Sequence, residues 1–64
     1  MLERNIELKI ACVEKDMKEY ELAEKLRLNP AYISQIIGGI RNLSYIKQIE
    51  AARILNVPRE ILFK

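Results

Sequence analysis

The sequence predicts an all-α domain of five short helices, and three observations predict it. Apolar residues recur three and four positions apart along most of the chain, the spacing that gathers them on one side of a helix. Good helix starts precede several of these runs: Asn5, Asn29 followed by Pro30, and Ser44. There is no strand pattern, no internal repeat and no low-complexity linker.

The first helix is expected to be capped by Asn5 and to run from Ile6 to about Lys15. Ile6, Ile10, Val13 and Met17 follow the helical period, and Leu8, Ala11 and Cys12 widen the apolar surface beyond one stripe. A helix so apolar on a small domain is either well buried or touches a second subunit. The second helix has two candidate starts. Asp16 with Glu19 fits a capping box, and a later start near Lys18 has a poor cap. It ends near Arg27, with Leu22 and Leu26 on one face and the small Ala23 where another helix comes close. The third helix runs from Pro30 to about Ile37, turns Ile33 and Ile36 inward, and stops at Gly38-Gly39. Ser44 caps the fourth, which continues to about Leu55 with Ile49, Ala52 and Leu55 on one face and Asn56 at its end. A short fifth helix starts at Pro58 and reaches Phe63.

Composition narrows the function classes. A chain of 64 residues is one domain, here spanning 1–64. A domain of this size buries only ~60% of its unfolded surface, so good helix packing or dimerisation must stabilise it. Cys12 is the only cysteine and there is no histidine, which leaves no disulfide and no metal-ligand set. Nothing resembles an export signal or a membrane span, and a lone thiol fits the cytoplasm. Ser34 and Ser44 have no histidine to activate them, and no Gly-rich phosphate loop follows a strand. No enzyme, cofactor or small-molecule effector is expected. The net charge of +2 says little, but its distribution says more. No acid lies between Lys25 and Ile49, a window that holds Lys25, Arg27, Arg41 and Lys47, so a polyanion-facing side is expected there.

The second and third helices, separated by a tight connection, read as a helix-turn-helix, a unit that commonly places its second helix in the DNA major groove. The segments Glu21–Leu26, Tyr32–Ile36, Gly39 with Arg41, and Ala52–Phe63 together resemble the Cro/repressor-type helix-turn-helix family, also called the xenobiotic-response-element type. The resemblance covers about residues 5 to 63 and implies a five-helix, lambda-repressor-like domain. Many members are phage or bacterial repressors that bind palindromic operators as dimers.

Carried onto this chain, the resemblance implies base-facing positions at Pro30, Ala31, Ser34 and Gln35. Gln35 has the best chemistry, since an amide bonds bidentately to adenine. Ala31 touches only a thymine methyl, Pro30 offers shape, and Ser34 bonds any base weakly. Phosphate contacts are implied for Tyr32, Arg41, Lys18 and the backbone N–H groups around Gly39 and Ile40, with Arg27 a further cation. Ile46, Ile54, Ile61, Leu62 and Phe63 form an expected dimer patch, with the Ile6 and Ile10 surface as the alternative. The chain departs from the family pattern at Glu19, where a carboxylate replaces a phosphate-bonding Gln and repels phosphate unless it turns inward or Lys18 offsets it. It departs again at Arg27, where the family has Gly in the turn, and at Cys12 with Ile37, expected to touch where the family has an ion pair. Glu19, Glu21 and Glu24 are expected on a solvated face. The expected function is sequence-specific binding of double-stranded DNA by a homodimeric regulator. The alternative is a protein-interaction module that keeps the fold and lacks DNA affinity.

Overall fold

In the computed structural model, which describes residues 4–63, the helices are α1 (Ile6–Glu14), α2 (Glu19–Lys25), α3 (Pro30–Ile37), α4 (Tyr45–Leu55) and α5 (Arg59–Leu62). The expected unit of 1–64 therefore extends slightly beyond the described residues. The caps at three starts are as the sequence predicts. Asn5 accepts from the Leu8 N–H at 2.9 Å, Asn29 from the Ala31 N–H at 2.9 Å, and Ser44 from the Lys47 N–H at 3.4 Å.

The second helix takes the later of its two candidate starts. Asp16 has a φ of 54°, outside the range of an N-cap, and it ends α1 instead of beginning α2. Lys18 is the N-cap, and Glu21 accepts its N–H at 3.1 Å. A lysine side chain has no acceptor to return the bond, so only half of a capping box forms.

One device ends α1, α2, α3 and α4 alike. A left-handed residue is followed by an apolar residue whose N–H reaches back five positions. Met17 donates to Cys12 at 2.8 Å, Leu28 to Ala23 at 2.8 Å, Ile40 to Gln35 at 2.9 Å and Val57 to Ala52 at 3.1 Å. The left-handed residues are Asp16, Arg27, Gly39 and Asn56. This is the Schellman arrangement, which satisfies the last carbonyls of a helix. Arg27 thus keeps the turn shape in which glycine is usual, at a φ of 59°. Met17, Leu28 and Val57 pack against the core, whereas Ile40 is 70% exposed.

The core draws on all five helices. Leu8, Leu22, Leu26 and Ile33 are fully enclosed, joined by Ala23, Ala51, Leu55 and Leu62. The α2 and α3 faces are those the sequence predicts. On α1 the buried residues are Leu8, Ala11 and Cys12, while Ile6, Ile10 and Val13 are exposed. Both stripes of α1 are apolar, and the small Ala11 and Cys12 permit the closer approach to neighbouring helices. On α4 the buried residues are Ala51 and Leu55, with Ile49 and Ala52 half-buried and Tyr45 exposed. Cys12 is buried and Ile37 half-buried against the core, so neither faces solvent. Cys12 lines an open cleft together with Ala31 and Ser34 from the start of α3, while the Ile37 carbonyl at its end accepts from Asn5 at 2.8 Å.

The expected dimer patch needs correction. Leu62 and Phe63 are only 2% and 6% exposed and belong to the core. The chain turns extended at Phe63, whose N–H closes the last turn on Arg59 at 2.7 Å. Ile46 and Ile61 remain exposed, and Ile54 is half-buried.

Candidate nucleic-acid interface

The exposed side of α3 is built by its two ends. Asn29 and Pro30 fix the first turn, Ile33 and Ile36 anchor the inner face in the core, and the Gly39 turn finishes the helix. Pro30, Ala31 and Ser34 are left exposed, and Gln35 half-buried. Around this helix the side chains form two groups.

The first group joins α3 to α2. The Ser34 hydroxyl donates to a Glu19 carboxylate oxygen at 3.2 Å. Glu19 is half-buried and, with Cys12, Lys18, Pro30, Ala31 and Ser34, borders an open cleft between α1, α2 and α3. Burial, and secondarily the Glu19 carboxylate, push the Cys12 thiol above its ordinary 9.0. That thiol is therefore protonated near neutral pH and a poor nucleophile. The Lys18 ammonium lies 5.9 Å from the Tyr20 ring centre. Glu19 thus sits half-buried at the edge of α3 with its carboxylate on Ser34, and of Glu19, Glu21 and Glu24, expected on a solvated face, only Glu24 is fully exposed. Glu21 is half-buried and caps Lys18.

The second group joins α3 to the loop after it. Arg41 donates from Nε to the Gln35 carbonyl oxygen at 2.8 Å, and its guanidinium lies 4.8 Å from the Tyr32 ring centre. Arginine is donor-only, so the Gln35 atom facing it must be the oxygen. The Tyr32 hydroxyl donates to the Asn42 carbonyl at 3.4 Å, a long bond. Tyr32, Gln35 and Arg41 are thereby brought together. The bidentate adenine contact expected of Gln35 requires an oxygen that already accepts from Arg41.

The expectation for the loop backbone also changes. The Gly39 N–H donates to Ile36 at 3.2 Å and the Ile40 N–H to Gln35 at 2.9 Å, so both amides turn back into α3. Gly39 shapes the turn that carries Arg41 and offers no free amide to a phosphate. Arg27 is exposed in the turn between α2 and α3, and joins neither group. Among the described residues, no cluster of His, Cys, Asp or Glu is suited to a metal ion, and no helix is long and apolar enough to cross a membrane.

A family model for the helix-turn-helix matches residues 8–62, which spans α2, the turn at Arg27 and α3. The chain belongs to the helix-turn-helix family. Its general role is DNA-binding regulation of transcription, and it is not an enzyme. No protein of curated function matches the chain. In fold, this helix-turn-helix protein is similar to the restriction-modification controller protein C.AhdI from Aeromonas hydrophila. The two share 24% identity with a TM-score of 0.79 over 89% of this chain and 86% of that one.

One feature of this helix-turn-helix lies outside what the sequence predicts: the bond from Ser34 to Glu19 spans 15 positions, which no local spacing reveals. Ile40 is exposed beside Arg41, at the one of these four helix ends where the residue after the left-handed turn does not tuck into the core. The repeating pair of left-handed and apolar residues was present in the sequence as Asp16-Met17, Arg27-Leu28, Gly39-Ile40 and Asn56-Val57.

Proposed function

We propose that this chain is a sequence-specific regulator that binds a palindromic operator as a homodimer, with α3 of each copy in the major groove. The observation that carries the reading is α3 itself, which keeps Pro30, Ala31 and Ser34 exposed while Ile33 and Ile36 hold it to α2. The acid-free window around it, which holds Arg27 and Arg41, supports phosphate contacts by these cations, the kind that supplies most of the affinity. Lys18 at the start of α2 adds another cation, and the Tyr32 hydroxyl serves a phosphate once released from Asn42. Bound at a site overlapping a promoter, such a protein acts as a repressor. The controller role in the name of C.AhdI supports a regulator.

For the dimer surface, the exposed Ile46 and Ile61 with the edge of Ile54 are the reduced form of the expected patch. The α1 stripe of Ile6, Ile10 and Val13 is the alternative. That stripe also favours the second reading, a protein-interaction module without DNA affinity, because it presents an apolar helix face on the monomer.

Selection from a random duplex library at about 50 mM and again at about 200 mM salt tests the proposal. The expected result is an enriched palindrome whose half-sites are centred about one helical turn, roughly 34 Å, apart, with binding that weakens steeply at the higher salt. No enrichment at either salt supports the interaction module instead.

A further inference from the structure

We infer that the bond from Ser34 to Glu19 gives the reading face of α3 one edge that only accepts hydrogen bonds. Glu19 thereby becomes a specificity-determining residue. The inference rests on the proposal that α3 reads the major groove.

A serine hydroxyl has one proton and can both donate and accept. Here its partner is a carboxylate, which has no proton to give, so the Ser34 proton points at Glu19 across 3.2 Å. What Ser34 and Glu19 then present outward is lone pairs only. In the major groove, cytosine and adenine offer an exocyclic amino donor, whereas guanine and thymine offer oxygen acceptors. An acceptor-only edge bonds the amino group of cytosine or adenine and repels guanine O6 and thymine O4. The Glu19 charge sharpens that choice, because a carboxylate among phosphates is offset only where it gains a donor.

The Gln35–Arg41 pair imposes no such choice. Arg41 Nε takes one lone pair of the Gln35 oxygen at 2.8 Å, and the second lone pair stays open beside the amide NH₂ and the remaining guanidinium N–H groups. That pair offers donors and an acceptor together, so the one-sided edge lies at Ser34–Glu19 alone.

The test selects duplexes from a random library with the wild-type chain and Glu19→Gln in parallel. For the wild type, one half-site position is expected to accept only cytosine or adenine. N4-methylcytosine or N6-methyladenine there should weaken binding at least about tenfold, since one directed base contact is removed. Glu19→Gln, whose amide also donates, should admit guanine or thymine at that position to within about threefold while leaving the other positions unchanged. An enriched site whose preferences are the same for the wild type and Glu19→Gln overturns this inference and leaves DNA reading intact. A wild-type chain that enriches no sequence overturns DNA reading itself, and the inference with it.

Discussion

Arg27 occupies a conformation that an L side chain pays for. At a φ of 59° its Cβ crowds the following carbonyl, a cost of roughly 1 kcal/mol that glycine avoids. Its N–H still donates to Glu24 at 3.1 Å and closes the turn that sets α3 against α2. Arg27→Gly should therefore stabilise the fold by about 0.5–1 kcal/mol, read as a higher urea midpoint with an unchanged slope. Gly39 sits at a φ of 78°, and Gly39→Ala should cost roughly 1 kcal/mol in the same assay. If both substitutions move the midpoint the same way, the left-handed turns do not carry the strain assigned to them. Retaining Arg27 against this gradient keeps a cation in the turn between the two helices, which is consistent with a DNA-facing role. Asp16 and Asn56, at φ values of 54° and 56°, stand at less cost, because short polar side chains tolerate this region.

Among the elements, α4 supplies a support for the motif that no motif search reveals. Lys47 reaches from α4 to donate to the Leu26 carbonyl at the end of α2 at 2.8 Å, with Glu50 at 3.5 Å. A cation at a helix C-terminus complements the dipole and satisfies a carbonyl left open there. Lys47→Met should lower stability by about 1 kcal/mol, because the site is only half-buried and water replaces part of the bond. Comparing thermal unfolding of the variant with wild type checks this, and an unchanged midpoint would show the bond to be incidental. The helices themselves were legible in the sequence because their starts and stops are local: Asn5, Asn29-Pro30 and Ser44 open them, and left-handed residues close them. Which side of α1 is buried was not legible, since Ile6, Ile10 and Val13 make as good a stripe as Leu8, Ala11 and Cys12. The choice depends on how closely α2, α3 and α5 approach. The exposed positions of α3 followed from its periodicity and the family pattern. The bonds that tie Ser34 to Glu19 and Gln35 to Arg41 did not, because they depend on how neighbouring segments set against it. Leu62 and Phe63 misled for the same reason: a short apolar segment reads equally as a surface patch or as the lid of a core.

At the scale of the whole molecule, Asn5 gathers the fold. Its side-chain oxygen caps α1, its backbone N–H donates to Ile37 at the end of α3, and its Nδ2 donates to the Leu62 carbonyl of α5 at 2.8 Å. Asn5→Ala should cost about 1–2 kcal/mol, from the lost cap and the unpaired Leu62 carbonyl. Asn5→Ser keeps a capping oxygen and loses the bond to Leu62, so it should cost less. Equal losses in the two variants would place the whole effect in the Leu62 bond. That bond joins residues 57 positions apart. Closing so long a loop carries an entropic cost that local helical turns do not, and the contact gains nothing until the intervening helices have packed. It belongs late on the folding route. Its loss should therefore appear chiefly as faster unfolding with little change in the folding rate, making Asn5 a latch that sets how long the folded state lasts rather than how soon it forms.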